Sequence, residues 1–150
     1  MPTAENTDPH EKDIMSPRTL DLEQADERDL LRAHWRYADG LVPGEPNGGL
    51  VHEMAETPVR LADYDDSSWE VIDDIQKGRS TGLCFGWYRI TITLPTAIEG
   101  QDLAGRSIFF ETCVDDYGEL WIDGECDMAF GETGRGCVSG FNYPQRVCVS

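Results

Sequence analysis

The stretch Trp87-Tyr88-Arg89-Ile90-Thr91-Ile92-Thr93-Leu94-Pro95 decides the fold class. In an extended chain Tyr88, Ile90, Ile92 and Leu94 fall on one side and Arg89, Thr91 and Thr93 on the other. Side chains alternate faces along a strand, and β-branched residues suit a pleated, half-buried surface. The segment therefore predicts a strand with one buried face, ended by Pro95, which cannot donate to a ladder.

Further strands follow toward the C-terminus. Residues 107–114 and 117–122 predict two. Asp123-Gly124 then predicts a two-residue hairpin, because a type I′ turn needs positive φ at both central positions. Residues 125–130 are expected to pair back on 118–122. Residues 131–140 are read as a glycine-rich loop and 146–149 as one more strand. Toward the N-terminus, His34-Trp35-Arg36-Tyr37 alternates and predicts an early strand. Residues 20–33 hold good helix formers with partial 3.6 periodicity, which predicts a short helix. Residues 39–57 carry Gly40, Pro43, Gly44, Pro46, Gly48 and Gly49 and read as a loop. Val59-Arg60-Leu61 predicts a short strand, residues 65–69 a turn that places Trp69, and 73–83 a polar loop. Many short strands with turn signals and little helix indicate an all-β, antiparallel sandwich. Residues 1–33 form a polar arm with the short helix, and 34–150 the sandwich. The last strand pattern runs to the final residue, so the sandwich is expected to be a truncated piece of a longer protein.

Composition narrows the function. With 150 residues the chain is about one domain and too short for a (β/α)8 barrel. A formal net charge of −17 repels phosphate backbones and anionic lipid, so neither nucleic acid nor membrane is an expected partner. Residues 1–15 are polar, without the apolar core of a signal peptide. Cys84, Cys113, Cys126, Cys137 and Cys148 are odd in number and lack CxxC spacing. They are expected to be reduced thiols in a cytoplasmic protein rather than a zinc site. In an oxidising setting a Cys113–Cys126 or Cys137–Cys148 bridge becomes available.

Three segments taken in order carry a resemblance. They are Asp65-Asp66-Ser67-Ser68-Trp69, then Gly86-Trp87-Tyr88-Arg89 with Leu94-Pro95, then Phe110-Glu111 through Val114-Asp115-Asp116-Tyr117-Gly118-Glu119-Leu120-Trp121-Ile122-Asp123-Gly124. Together they resemble the N-terminal, galactose-binding-like jelly-roll domain of family 2 glycoside hydrolases, the β-galactosidases and β-glucuronidases. The likeness covers about residues 60–150 and continues through Gly131-Glu132-Thr133-Gly134-Arg135. Cys113 departs from that family's glycine, and nothing before Pro58 has a counterpart there. The arm and the VDDYGE-WIDGE segment also resemble a domain attached to gluconolactonase-type propellers. The resemblance implies a non-catalytic, carbohydrate-binding-like module, a saccharide ligand, and a downstream catalytic domain that is either a barrel or a propeller.

Asp115 stands where the resembled family places an asparagine that touches sugar. A carboxylate accepts hydrogen bonds from paired hydroxyls. The candidate ligand-binding residues are thus Asp115 and Asp116, with Trp87 and Trp35 as aromatic platforms and Tyr143 as a third. Each has a plainer reading, the acids as turn formers and the aromatics as packing. Glu111 and Glu119 are read as solvent-facing strand residues rather than a glycosidase pair. Asp115, Asp116, Glu119 and Asp123 do not match an EF-hand loop. His10, His34 and His52 lack ligand spacing, and Cys84 has no local catalytic partners. The sequence thus assigns no catalytic residue, no metal site and no cofactor.

Overall fold

The computed structural model describes residues 17–40, 43, 57–77, 79, 81, 84–127, 132–133 and 136–150. Among the described residues the regular structure is mostly strand, in mainly antiparallel sheets, with one short α-helix, as an all-β chain should be.

Helix α1 spans Ala25–Leu30 and is shorter than the composition of residues 20–33 suggests. Asp21 explains the late start. Its carboxylate accepts the Glu23 N–H at 2.9 Å and its carbonyl the Gln24 N–H at 3.0 Å, so a turn occupies the segment where a first helical turn would lie. Buried Arg28 donates to the Leu22 and Glu23 carbonyls and stitches this turn to the helix.

The first sheet has the order β2-β1-β3, from strands β1 (His34–Asp39), β2 (Glu70–Ile72) and β3 (Gly86–Thr91), all antiparallel. Strand β3 ends three residues earlier than the alternation through Leu94 suggests. Its partner β1 begins at His34, which pairs with Thr91, and the Thr93 N–H turns instead to the Leu31 carbonyl at 2.9 Å. On one face Trp35, Tyr37 and Ile72 form the buried cluster, with Leu22, Ile75, Ile90 and Phe110 packed against it. On the other face Arg36 and Arg89 lie directly opposite each other across β1 and β3.

Segment 57–69 covers that second face. Residues 59–61 were a candidate strand, but Pro58–Arg60 is a 3-10 helix. Pro58 fixes a helical φ, and the Thr57 hydroxyl accepts the Val59 N–H. Asp66 places its carboxylate 3.4 Å from Arg36 and 2.9 Å from Arg89. The two guanidiniums also donate to five backbone carbonyls of the segment, those of Val59, Leu61, Asp66, Ser67 and Trp69. A repulsive cross-strand pair thereby becomes a clamp.

Strands β4 (Ala97–Ile98) and β5 (Gln101–Asp102) form a small hairpin. The second three-stranded sheet has the order β6-β10-β8. It comprises β6 (Phe109–Cys113), β8 (Glu132–Thr133) and β10 (Pro144–Cys148), with β10 antiparallel to β6 and parallel to β8. Phe110 of β6 joins this sheet to the Trp35 cluster.

The last pair corrects two expectations. Strand β7 (Gly118–Leu120) pairs with β9 (Cys137–Ser139), and among the described part of the expected return strand, residues 125–127, only Glu125 pairs back, with Ile122. The Asp123-Gly124 turn forms as predicted, with φ of 50° and 84°, but its ladder is the single bridge Ile122↔Glu125. Gly136 shows why. It lies so close to the Leu120 and Glu125 carbonyls that any Cβ would overlap them, so the β9 chain takes the place beside β7. The stretch read as a glycine-rich loop therefore holds β8 and β9. Buried Gln145 of β10 donates to the Gly118 and Cys137 carbonyls and ties this pair to the second sheet. Residues 128–131 and the loop expected between 41 and 56 lie largely outside the described residues.

Candidate functional site

Two turns meet at one end of β6, β7 and β10. The first connects β6 to β7 and carries Asp115 and Asp116, both exposed. Asp116 has φ of 60°, and its N–H donates to the Asp115 carboxylate at 2.9 Å. Aspartate tolerates this left-handed conformation because its short side chain bonds locally.

The second turn connects β9 to β10. Phe141 and Asn142 have φ of 53° and 59°, and the Tyr143 N–H closes the turn onto the Gly140 carbonyl at 3.0 Å. This is the φ signature of a type I′ turn, which normally selects glycine, asparagine or aspartate. A bulky aromatic with positive φ is an outlier, and Phe141 is 86% exposed.

The turns are locked backbone to backbone. The Phe141 N–H donates to the Asp116 carbonyl at 3.2 Å and the Asn142 N–H to the Val114 carbonyl at 3.1 Å. The Cys113 thiol donates to the Asn142 carbonyl at 3.0 Å. Gly140 is pressed on the Asp116 carbonyl with no room for a Cβ. The turn with the two exposed carboxylates is thus docked, backbone to backbone, on the turn that holds Phe141 and Tyr143, the latter 53% exposed.

A row along β7 extends from the first turn. The Tyr117 hydroxyl donates to one oxygen of Glu119 at 2.8 Å, and the Trp121 indole N–H donates to the other at 2.9 Å. Residues two apart share a strand face, so the carboxylate is held between two aromatics. Desolvation first, and the hydrogen bond to Glu119 second, push the Tyr117 phenol well above its ordinary pKa. Arg60 stacks over the Trp121 ring at 5.7 Å and donates to the Gly124 carbonyl at 2.6 Å.

The structure docks the turn of Asp115 and Asp116 on the turn closed by Tyr143, and Trp35 is not part of either turn. Trp35 is in the core, and its indole N–H donates to the Leu22 carbonyl at 3.1 Å. A ring enclosed there offers no face to a ligand, which corrects its reading as a platform. Trp87 lies opposite Ala38 in the first sheet. Glu111 pairs across strands with Arg146 at 2.6 Å and Glu119 is held by Tyr117 and Trp121, so each has a structural partner. Among the described residues no group of three acidic, histidine or cysteine side chains is arranged to hold a metal ion, and no helix is long and apolar enough to cross a membrane. His10 and His52 lie outside the described residues, and His34 is exposed on β1. Cys84 bonds the Thr81 carbonyl.

Sequence reasoning missed Phe141 and Tyr117. The signal was the run Gly140-Phe141-Asn142-Tyr143-Pro144, a turn-forming composition with two aromatics at its tip. The chain matches no protein-family model, no curated protein and no solved structure.

Proposed function

We propose that this chain is a non-catalytic, carbohydrate-binding-like β-sandwich module of a larger carbohydrate-active hydrolase, with its saccharide surface at the paired turns. The observation that carries this reading is Phe141. Its ring is held 86% exposed on a turn docked against Asp115 and Asp116. An apolar ring kept in water on a sparsely populated backbone conformation is disfavoured for folding alone, and such outliers gather at binding sites. Aromatic faces pack on the C–H faces of a sugar ring, while carboxylates accept from its hydroxyls. Asp115, Asp116, Phe141, Tyr143 and Tyr117 provide both functions, and Trp87 is a peripheral contact at most. The likeness to the family 2 sugar-binding domain, with Asp115 at its sugar contact, points the same way. It implies a galactose-binding-like jelly roll and a downstream catalytic domain as partner. No disulfide joins any of the five cysteines, which supports a reducing compartment, the cytoplasm, as the location.

An open surface of this kind buries little ligand, so affinity near the millimolar range, about −4 kcal/mol, is expected. Titration of galactosides and glucosides against the wild type and Asp115→Ala tests the reading. It stands if the substitution weakens binding. Identical binding by both proteins removes Asp115 from the site, and turnover of a nitrophenyl glycoside or a lactone that survives repurification overturns the non-catalytic assignment.

A further inference from the structure

We infer that the saccharide taken by the aromatic turn is aminated, carrying ammonium groups rather than only hydroxyls; this rests on the saccharide reading above and adds to it the ligand's charge. Tyr117 and Phe141 are exposed, Tyr143 closes the turn that carries Phe141, and Phe141 is the most exposed of the three. The ring quadrupole attracts a cation placed over its face. Elsewhere the molecule satisfies that preference itself, with Arg60 over Trp121, Arg79 over Tyr37, Arg89 over Tyr64 and Arg146 over Phe109. Among the described residues no such cation stands over Phe141 or Tyr117.

Charge complementarity names the occupant. From Asp115 to Glu132 the sequence has seven acidic residues and no basic one, and the whole chain carries −17. Asp115 and Asp116 present exposed carboxylates on the turn whose Asp116 carbonyl accepts the Phe141 N–H. A sugar acid is repelled by this field, and a neutral sugar gains only neutral donors. An ammonium-bearing sugar gains charge-assisted hydrogen bonds to the carboxylates and a cation–π contact with the rings, and is steered toward the surface.

The test uses the intact chain and three oligosaccharides with one β-1,4 backbone: a glucosamine tetramer, its N-acetylated form and cellotetraose. Calorimetric titration in slightly acidic, low-salt buffer should show the glucosamine tetramer binding about tenfold more tightly than the other two, a modest figure for exposed charge contacts. The preference should shrink with added salt. Asp115→Asn combined with Asp116→Asn should abolish it, since asparagine keeps the turn and one acceptor oxygen per side chain but not the charge. Phe141→Ala should weaken binding of the ammonium oligomer. Asp26→Asn with Asp29→Asn, an equal charge change on helix α1, should leave the preference intact. Equal affinity for all three sugars overturns the inference while leaving saccharide binding in place. A preference that both double variants reduce alike overturns it as diffuse attraction to an acidic protein. Binding of none of the three overturns both the inference and the saccharide reading.

Discussion

Replacement of Asp66 by alanine should unfold the clamp over the first sheet before anything else. Arg36 and Arg89 face each other across β1 and β3, and Asp66 is the carboxylate that reaches both, at 3.4 and 2.9 Å. The three side chains are about one-fifth exposed or less. Exposed pairs contribute about 0.2–1 kcal/mol, whereas removing one partner of a buried pair costs about 3–5 kcal/mol. This site lies between those limits. Two cations lose their counter-charge together and then repel each other, which loosens their bonds to the segment's backbone carbonyls. A destabilisation of about 2–3 kcal/mol follows. For a domain of this size that corresponds to a fall in Tm of roughly 5–10 °C. Asp66→Asn keeps an acceptor and loses the charge, so its fall should be about half as large. Thermal and urea melts measure the global effect, and trypsin cleavage after Arg60 reports release of segment 57–69. A Tm within about 1 °C of wild type, with unchanged cleavage, would show that Asp66 does not hold the two arginines together.

Gly140→Ala should destabilise by more than about 2 kcal/mol, because a Cβ overlaps the Asp116 carbonyl; urea melts check this, and a neutral result means that the two turns do not touch. Trp121→Ala should cost about 2 kcal/mol, below the loss for a fully buried tryptophan, because the ring is only partly buried between Glu119 and Arg60. Chain denatured without reductant should titrate as five thiols. In the native state Cys113 and Cys148 should react first and Cys137 last, since burial both hides its thiol and pushes its pKa up. The Tyr117 phenol is raised above its ordinary pKa of 10.0 in the fold, so its contribution to stability is intact below that pH and is lost as pH climbs beyond it. Ultraviolet titration of wild type against Tyr117→Phe should show the missing tyrosine as the late-ionising one.

The sequence made the strand core legible where one face is buried and the partner is close. Trp35 and Tyr37 alternate with Arg36, and the structure buries the first two and leaves Arg36 on the clamped face. The Asp123-Gly124 turn was readable because positive φ restricts the choice of residue. The pairing of β7 with β9 was not. It depends on Gly136 admitting a distant strand between carbonyls, a long-range contact that local pattern does not encode. The 3-10 helix at Pro58–Arg60 carried a local signal in Pro58 that the apolar pair Val59 and Leu61 obscured. The acids of the candidate site were found from the family resemblance and Tyr143 from its aromatic ring, whereas Phe141 beside them was not found. Trp35 drew attention by its size, yet large apolar surface goes to the core, and the smaller Phe141 stays outside because its turn is docked on Asp116.

The central claim is that the turn carrying Asp115 and Asp116 and the turn carrying Phe141 form one saccharide surface. Backbone amide chemical shifts of the intact chain, followed during titration with galactosides, glucosides and the glucosamine tetramer, test it most directly. Saturable shifts should cluster at residues 114–117 and 140–143 and fade in Asp115→Ala and Phe141→Ala. Saturable shifts confined to the first sheet, around Trp87, or no shifts with any of these sugars, would contradict it.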